Sequence, residues 1–491
     1  MDTARRKTIL MIDNEPLMID RRIIHEATSL VDAGYRVALI TKGDGNKPSL
    51  EMHRGMEIHR VEEYAAHNAN ASDSALQVST WIHHPSNPQK ERDIRKRYSR
   101  LPWKLQTALY VLSWPPMLAS ILRARVPLLK RLLRSTFEPT IYLLLLRPRF
   151  ITPYFRARKQ RKLDDKKYRG IVSGLSPWNL QVAKLAIDKI SPDVIHAHDL
   201  PNLKVGVAIA RKLSVPLVYD AHELYPMQLF SNEATRREMA ELERSLIDQV
   251  DRVISVNQQC SDVLVQSYTC VKQVTVLSNA LESPSGFDPH KRERRWHERF
   301  KLAEDVQIMV FQGGINPVRN VDFLINALVD VPDHIHVGFI TYKKDVPYYE
   351  ELTKELGVFH RVHYVLEIPW EEVIFWLASA DVGVMPYQAV SYNAKISSPN
   401  KLFEFVVAGL PIMASSELVN VDDAVRTHKL GVCKLLKENQ DYMDMIQEMF
   451  DPTLGGPERF RKNVLAARNH FTWENEAPRL LSMYEELLRT A

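Results

Sequence analysis

Apolar positions along this chain recur with two periods, and the switches between them divide it into segments. The runs at 7–13 (KTILMID), 35–41 (YRVALIT) and 56–62 (MEIHRVE) read as strands. Between the first two, DRRIIHEATSLVDAG (20–34) sets Ile23, Ile24, Ala27, Leu30 and Val31 at helical spacing and stops at Gly34. The alternation lapses from about 65 and resumes at 176. From there the pattern predicts a helix at 179–190, a strand at 193–199, a helix at 203–214 and a strand at 216–223. A helix over 232–249 and strands at 251–257 and 273–280 follow. The breaker-rich stretch SPSGFDPHKRERR marks the expected linker, 284–303.

The scheme then repeats. Strands are predicted at 306–314, 334–341, 363–367, 381–387 and 411–415, with helices at 320–329, 348–356 and 371–379. A short helix follows SSPN (397–400), and a terminal helix covers 471–490. This pattern is α/β, with two Rossmann-like α/β/α domains facing a cleft. The expected boundaries are 1–283, with a helical insertion at about 65–175, then 304–468. A closing helix in 469–491 is expected to pack back toward the first domain. In open sheets of this kind ligands sit beyond the carboxyl ends of the strands.

Composition changes this picture in one place. The 491 residues are 45% apolar and 25% charged, which is ordinary soluble usage. The net charge of +5 hides an asymmetry, because 90–170 carries about 22 Lys/Arg against about 5 Asp/Glu. That block is roughly +17 and the remainder about −12. Leu129, Leu132 and Leu133 beside Lys130, Arg131 and Arg134 make it amphipathic, and Pro115 and Pro116 break any single helix. Two readings fit: docking on an anionic membrane surface, or a helical insertion with its arginines in water. Nucleic acid is not expected as a partner, since aromatics are not interleaved as stacking platforms. Cys260, Cys270 and Cys433 lack metal-ligand spacing and suggest a reducing compartment. The apolar run from Lys7 to Ile12 is too short for a signal peptide, and no spanning helix is expected. The expected location is cytoplasmic, peripheral at the membrane face.

Candidate chemistry gathers at the predicted strand ends. In FQGGINPVRN a strand runs into Gly313 and Gly314, which lets backbone N–H groups approach a phosphate, and Arg319 can add a planar fork. In SSPNKLFEF, Ser397, Ser398 and Asn400 are capping-type residues before a short helix, and Lys401 adds a charge. Glu404 shares a face with Lys401, and it is either half of a surface pair or an acceptor for ribose hydroxyls. HAHDLPN puts His198 and Asp199 just past a strand, and VYDAHELYP does the same for His222 and Glu223. A lone histidine is usually structural, but four such residues at adjacent strand ends favour an acceptor-and-sugar pocket. Asp20 and Arg22, after NEPLMI, are expected to line the same cleft.

Taken in order, several blocks carry a resemblance: DRRIIHEATSLVDAGYRV, DVIHAHDLPNL, PLVYDAHELYP, FQGGINPVRNVDFLINAL, ADVGVMPY, SSPNKLFEFVVAGLPI and FTWENEAPRLLSMYEELL. Together they resemble the GT-B-fold, retaining glycosyltransferases of family 4, in its KLFE-type branch. The likeness covers about 1–65 and 176–490. It implies transfer of a hexose-like sugar from a UDP- or GDP-linked nucleotide-sugar to a glycan or polyprenyl-linked acceptor, in cell-surface polysaccharide or glycolipid synthesis. No permanently bound cofactor is implied. No Asp-x-Asp occurs, so no metal clamp is expected.

By the same resemblance Gly313 and Arg319 bind the diphosphate, Glu404 holds the ribose, and His222 lies beside the transferred sugar. Gly314, Ser398, Asn400, Lys401 and Leu402 belong to the donor site, and the backbone near Leu366 and Glu367 cradles the base. The chain departs from the family pattern at Ile396, where the first of two glutamates eight residues apart is missing, and at Gly314, where many members carry arginine. An alternative of another class is a non-catalytic partner in a transferase complex. A sugar-nucleotide epimerase on the same fold has less support.

Overall fold

A computed structural model of the chain describes residues 6–15, 20–43, 47–62, 175–230 and 232–490. The expected basic insertion, about 65–175, falls outside the described residues except at its last one. The proposed docking segment 90–170 falls wholly outside them. Residues up to Glu62 and from Asn179 onward form one compact unit built on two sheets.

The first sheet has eight strands: β1 (Thr8–Ile12), β2 (Arg36–Lys42), β3 (Leu50–His53), β4 (Met56–Val61), β5 (Val194–His198), β6 (Leu217–Ala221), β7 (Arg252–Ser255) and β8 (Val274–Val276). Their order is β3-β4-β2-β1-β5-β6-β7-β8. All pairs are parallel except β3 with β4. The second sheet comprises β9 (Gln307–Gln312), β10 (Ile335–Thr341), β11 (Val362–Leu366), β12 (Val382–Met385), β13 (Ile412–Ser415) and β14 (Gly431–Lys434). It is parallel throughout, in the order β11-β10-β9-β12-β13-β14. Both faces of such sheets are covered by helices, which is why β1, β5, β6 and β10 are buried at every residue.

Five helices position the site. Helix α1 (Arg21–Asp32) follows β1, and its N-cap Asp20 accepts from the Arg22 N–H. Helix α2 (Asp199–Leu213) starts where β5 ends. In the second domain α3 (Tyr392–Ile396) and α4 (Asn400–Val407) lie between β12 and β13. Gly409, at φ +72°, ends α4 in a left-handed turn, with Leu410 N–H bonded to the Phe405 carbonyl. Helix α5 (Trp473–Thr490) lies against α1: Trp473 Nε1 donates to Ser29 Oγ at 2.8 Å, and Trp473 stacks on His25.

Several elements differ from the sequence expectation. The stretch expected as linker contains a helix, Arg295–Phe300, because Trp296 is fully buried and donates to the Trp376 carbonyl. Strand β3 is absent from the sequence pattern. It pairs only with β4 and leaves Leu50 and Met52 exposed, so burial gives it no apolar signature. Strand β14 and the helices Gln258–Ser267, Val419–His428, Asn439–Phe450 and Glu458–Ala467 were likewise not expected. Helix α4 is capped by Pro399, without a side-chain bond, rather than by the polar residues around it. Ser397 Oγ bonds back to the Ala394 carbonyl, and Ser398 Oγ accepts from Asn257 Nδ2. Asn400 is already the first helical residue.

Candidate active site

At the carboxyl edge of the second sheet the chain turns beyond β9 through Gly313, at φ +112°. A Cβ there would lie 2.8 Å from Arg319 Nη1 and 3.8 Å from Lys401 Cε, so the glycine leaves room where two cationic side chains converge. Arg319 ends the turn Pro317–Arg319, whose N-cap Asn316 accepts from the Arg319 N–H. Its guanidinium lies 5.4 Å over the Tyr387 ring. A Cβ on Gly314 would approach Asp345 Oδ2 at 3.2 Å.

Glu404 is 2% exposed, which removes the surface-pair reading. Its Oε2 bonds Lys401 Nζ at 2.9 Å and its Oε1 bonds Arg21 Nη1, from the first domain, at 2.9 Å. Burial opposes ionisation, but Lys401, Arg21 and a hydrogen bond from Gln312 hold this carboxyl below its usual range. Gly313, Arg319, Lys401 and Glu404 therefore meet at one place. Leu366 and Glu367 stand two strands away at the same edge, with Glu367 at φ +50° and its N–H on the Thr341 carbonyl. Of the other donor-site candidates, Ser398 and Leu402 are buried and Asn400 is exposed. The Leu402 N–H already donates to the Pro399 carbonyl.

In the first domain the strand-end residues form one network. His222 Nδ1 is 3.0 Å from Asp20 Oδ2, and Nε2 is 3.1 Å from both Asp220 Oδ2 and His198 Nδ1. The His222 N–H donates to Asp199 Oδ1 at 3.1 Å. Burial works against the imidazolium, but Asp220, Asp199 and Asp20 outweigh it and push His222 well up. Against the same burial penalty, His222 holds Asp20 below the carboxylate range. Burial and the neighbouring His196 press His198 down to about 3, so it is neutral, and burial pushes Asp199 up to about 7.

Arg22 does not line the cleft. It is 4% exposed and sits beneath, with Nη2 on Asp220 Oδ1 at 2.7 Å and Nε on Glu26 Oε1 at 2.8 Å. Glu223 lies at the surface, bonded by Gln228 and 3.5 Å from Asn393 Nδ2.

Sequence reasoning missed Arg21, Glu26, His196 and Asp220. Three had readable signals. Asp220 and His196 stand two residues before His222 and His198, so a strand turns each pair to one side. Glu26 stands one helical turn from Arg22. Arg21 had none, because its partner lies in the other domain. Glu26, His196, His198 and Asp220 have donor atoms within 4.8 Å of one another, which is metal-ligand crowding. The guanidinium of Arg22 already takes one oxygen from each carboxylate, so a cation is in place there. The position of the absent glutamate, Ile396, is 5% exposed and closes α3. Its carbonyl accepts from Asn257 Nδ2 at 2.8 Å.

Two domain families match the chain: Glycosyltransferase Family 4 over residues 128–283 and Glycosyl transferases group 1 over 306–451. Among curated proteins it is similar to D-inositol 3-phosphate glycosyltransferase 1 of Catenulispora acidiphila, 24% identical over 60% of this chain and 72% of that protein. Among solved structures it resembles sucrose-phosphate synthase from Thermosynechococcus elongatus, with a TM-score of 0.62, 16% identity and coverage of 99% and 100% of the two chains. It also resembles HepE of Anabaena in complex with UDP and glucose, with a TM-score of 0.60, 14% identity and coverage of 99% and 100%.

Proposed function

We propose that this GT-B-fold chain, matched by two glycosyltransferase domain families, is a family 4-like glycosyltransferase that takes a nucleotide-sugar donor and transfers its sugar with retention to a glycan or lipid-linked acceptor. The observation that carries this reading is the convergence of Gly313, Arg319, Lys401 and Glu404 at the end of β9 and the start of α4. Arg319 and Lys401 supply positive charge where a diphosphate leaves, and the Glu404 carboxylate is the acceptor for the ribose hydroxyls. The glycosidic bond to the diphosphate breaks, and the electron pair departs with the nucleoside diphosphate. The acceptor hydroxyl oxygen bonds the same anomeric carbon, and its proton passes to the diphosphate oxygen that has just left. Protein cations, rather than a metal, neutralise the leaving group. His222 and its carboxylates face the sugar from the first domain.

A UDP donor is favoured by the likeness to a protein crystallised with UDP and glucose, with GDP as the alternative. A cleft of about 570 Å³, flanked by Met227, Leu229 and Phe230 on one side and Tyr392 on the other, suits an acceptor with apolar parts. The basic block at 90–170 would bring the protein to the cytoplasmic membrane face, where about 1 kcal/mol accrues per Lys/Arg. The domain boundaries at 1–283, 304–468 and 469–491 belong to the same reading.

Thermal-shift measurements with UDP, GDP and ADP, followed by nucleotide release from the matching sugars, test it. One nucleotide should raise Tm, and Arg319→Ala and Glu404→Ala should each remove at least about 90% of transfer. A chain that binds nucleotide but never releases it from any donor would be the non-catalytic partner instead. Absence of binding to anionic vesicles at moderate salt would remove the membrane role.

A further inference from the structure

Glu404 presents a conflict. A carboxylate offers about four acceptor sites on its two oxygens, and Lys401, Arg21 and Gln312 already fill three, so it cannot receive both hydroxyls of a ribose while all three stay. Lys401 Nζ on Oε2 is a local partner, one turn away on the same helix. Arg21 Nη1 on Oε1 comes from the opposite domain. The charges around the Gly313 turn also fail to balance. Arg319 and Lys401 converge on it and Arg21 joins through Glu404, so three cations stand against two carboxylates, Glu404 and Asp345. A guanidinium that is 22% exposed, against 2% for its partner, can leave without exposing a core. Arg21 is the first residue of α1, directly after its N-cap Asp20, and its guanidinium also lies 5.5 Å over Trp370. It is therefore poised over the second domain's strand ends from across the cleft.

We propose that Arg21 is a donor-binding residue that exchanges partners: it occupies Glu404 in the empty enzyme and transfers to the donor's diphosphate when nucleotide-sugar binds. This rests on the reading of Glu404 as the ribose carboxylate. The exchange frees Oε1 for a ribose hydroxyl and supplies a third cation to the leaving group. It also ties α1 to the second domain through the ligand rather than through Glu404. Nucleosides and nucleoside diphosphates must then respond oppositely to loss of Arg21. A nucleoside has to displace Arg21 from Glu404 and gains nothing in return, whereas a diphosphate gains a new partner.

The test measures uridine and UDP binding by calorimetry, with guanosine and GDP alongside, for the wild type, Arg21→Gln, Arg21→Lys and Glu404→Gln. In Arg21→Gln the nucleoside should bind about threefold to tenfold more tightly, and the diphosphate about tenfold or more weakly. Arg21→Lys, which keeps the charge, should recover part of the diphosphate affinity. If Arg21→Gln and Arg21→Lys, still folded by their melting curves, shift both ligands in the same direction or neither, Arg21 is only a structural tie and the proposal falls. If Glu404→Gln binds nucleoside like the wild type, or the wild type binds none of the four, the ribose reading itself has failed and takes the exchange with it.

Discussion

His222 is held by two carboxylates on opposite ring nitrogens, Asp20 on Nδ1 and Asp220 on Nε2. Because its pKa is raised in the folded state from 6.5, its ion pairs contribute fully below that pH. They are lost as pH rises through the folded value. Asp20→Asn removes one partner, so stability should fall by on the order of 1 kcal/mol near neutrality. The alkaline loss should also begin at lower pH, which melting curves between pH 6 and 10 would read. A melt midpoint equally insensitive to pH in both forms would contradict the network. At this scale the sequence is legible where the local pattern announces a residue's place: His222 just past the end of β6, and Glu404 one turn along α4 from Lys401. Arg22 was placed in the cleft from its neighbours, but it is buried because Glu26 and Asp220 give its charge a home.

Elements buried on both faces, β1, β5, β6 and β10, are readable as short, mainly apolar runs, interrupted by His196 and His198 in β5, Asp220 in β6 and His336 in β10. The antiparallel β3 was not, since its turn uses Arg54 and Gly55 at positive φ rather than an Asn-Gly signal. The helix Arg295–Phe300 was masked by its charged neighbours, although Trp296 anchors it. Its indole fills the space above Gly338 on β10, where a Cβ would sit 2.6 Å from the ring. Gly338→Ala should therefore cost about 1–3 kcal/mol through overpacking. Adding Trp296→Phe should recover part of that loss, a coupling that a double-mutant cycle on chemical unfolding would show. Strict additivity would mean that the ring does not occupy that space.

Two sheets, each with its strands' carboxyl ends beside the polar residues, were legible from the alternation of strand and helix. The tie between them was not, because Arg21–Glu404, Asn257–Ile396 and Asn279–Ser398 join residues far apart in the chain. Among the described residues no helix is long and apolar enough to cross a membrane. A nucleotide that binds only the folded unit should stabilise it by about 2.7 kcal/mol at a hundred times its Kd. Both domains should gain together, since one apolar cluster runs from Ile9 and Leu30 through Tyr484 to Phe403 and Phe405. A calorimetric scan with saturating nucleotide should show a single transition moving upward, and movement of only a late or early shoulder would contradict that unity.

The terminal helix α5 reaches further than its place at the end of the chain suggests. Tyr484 Oη is 2.9 Å from His196 Nδ1, His196 stacks on His198 at 4.2 Å, and His198 touches His222. The tail thus acts as a strut behind His222, and tampering with it reaches that histidine's network from the side away from the cleft. Trimming by carboxypeptidase past Tyr484 should reduce turnover before it measurably reduces helical content. A fusion partner attached at residue 491 inherits that liability, and one attached through a long, hydrophilic spacer should escape it.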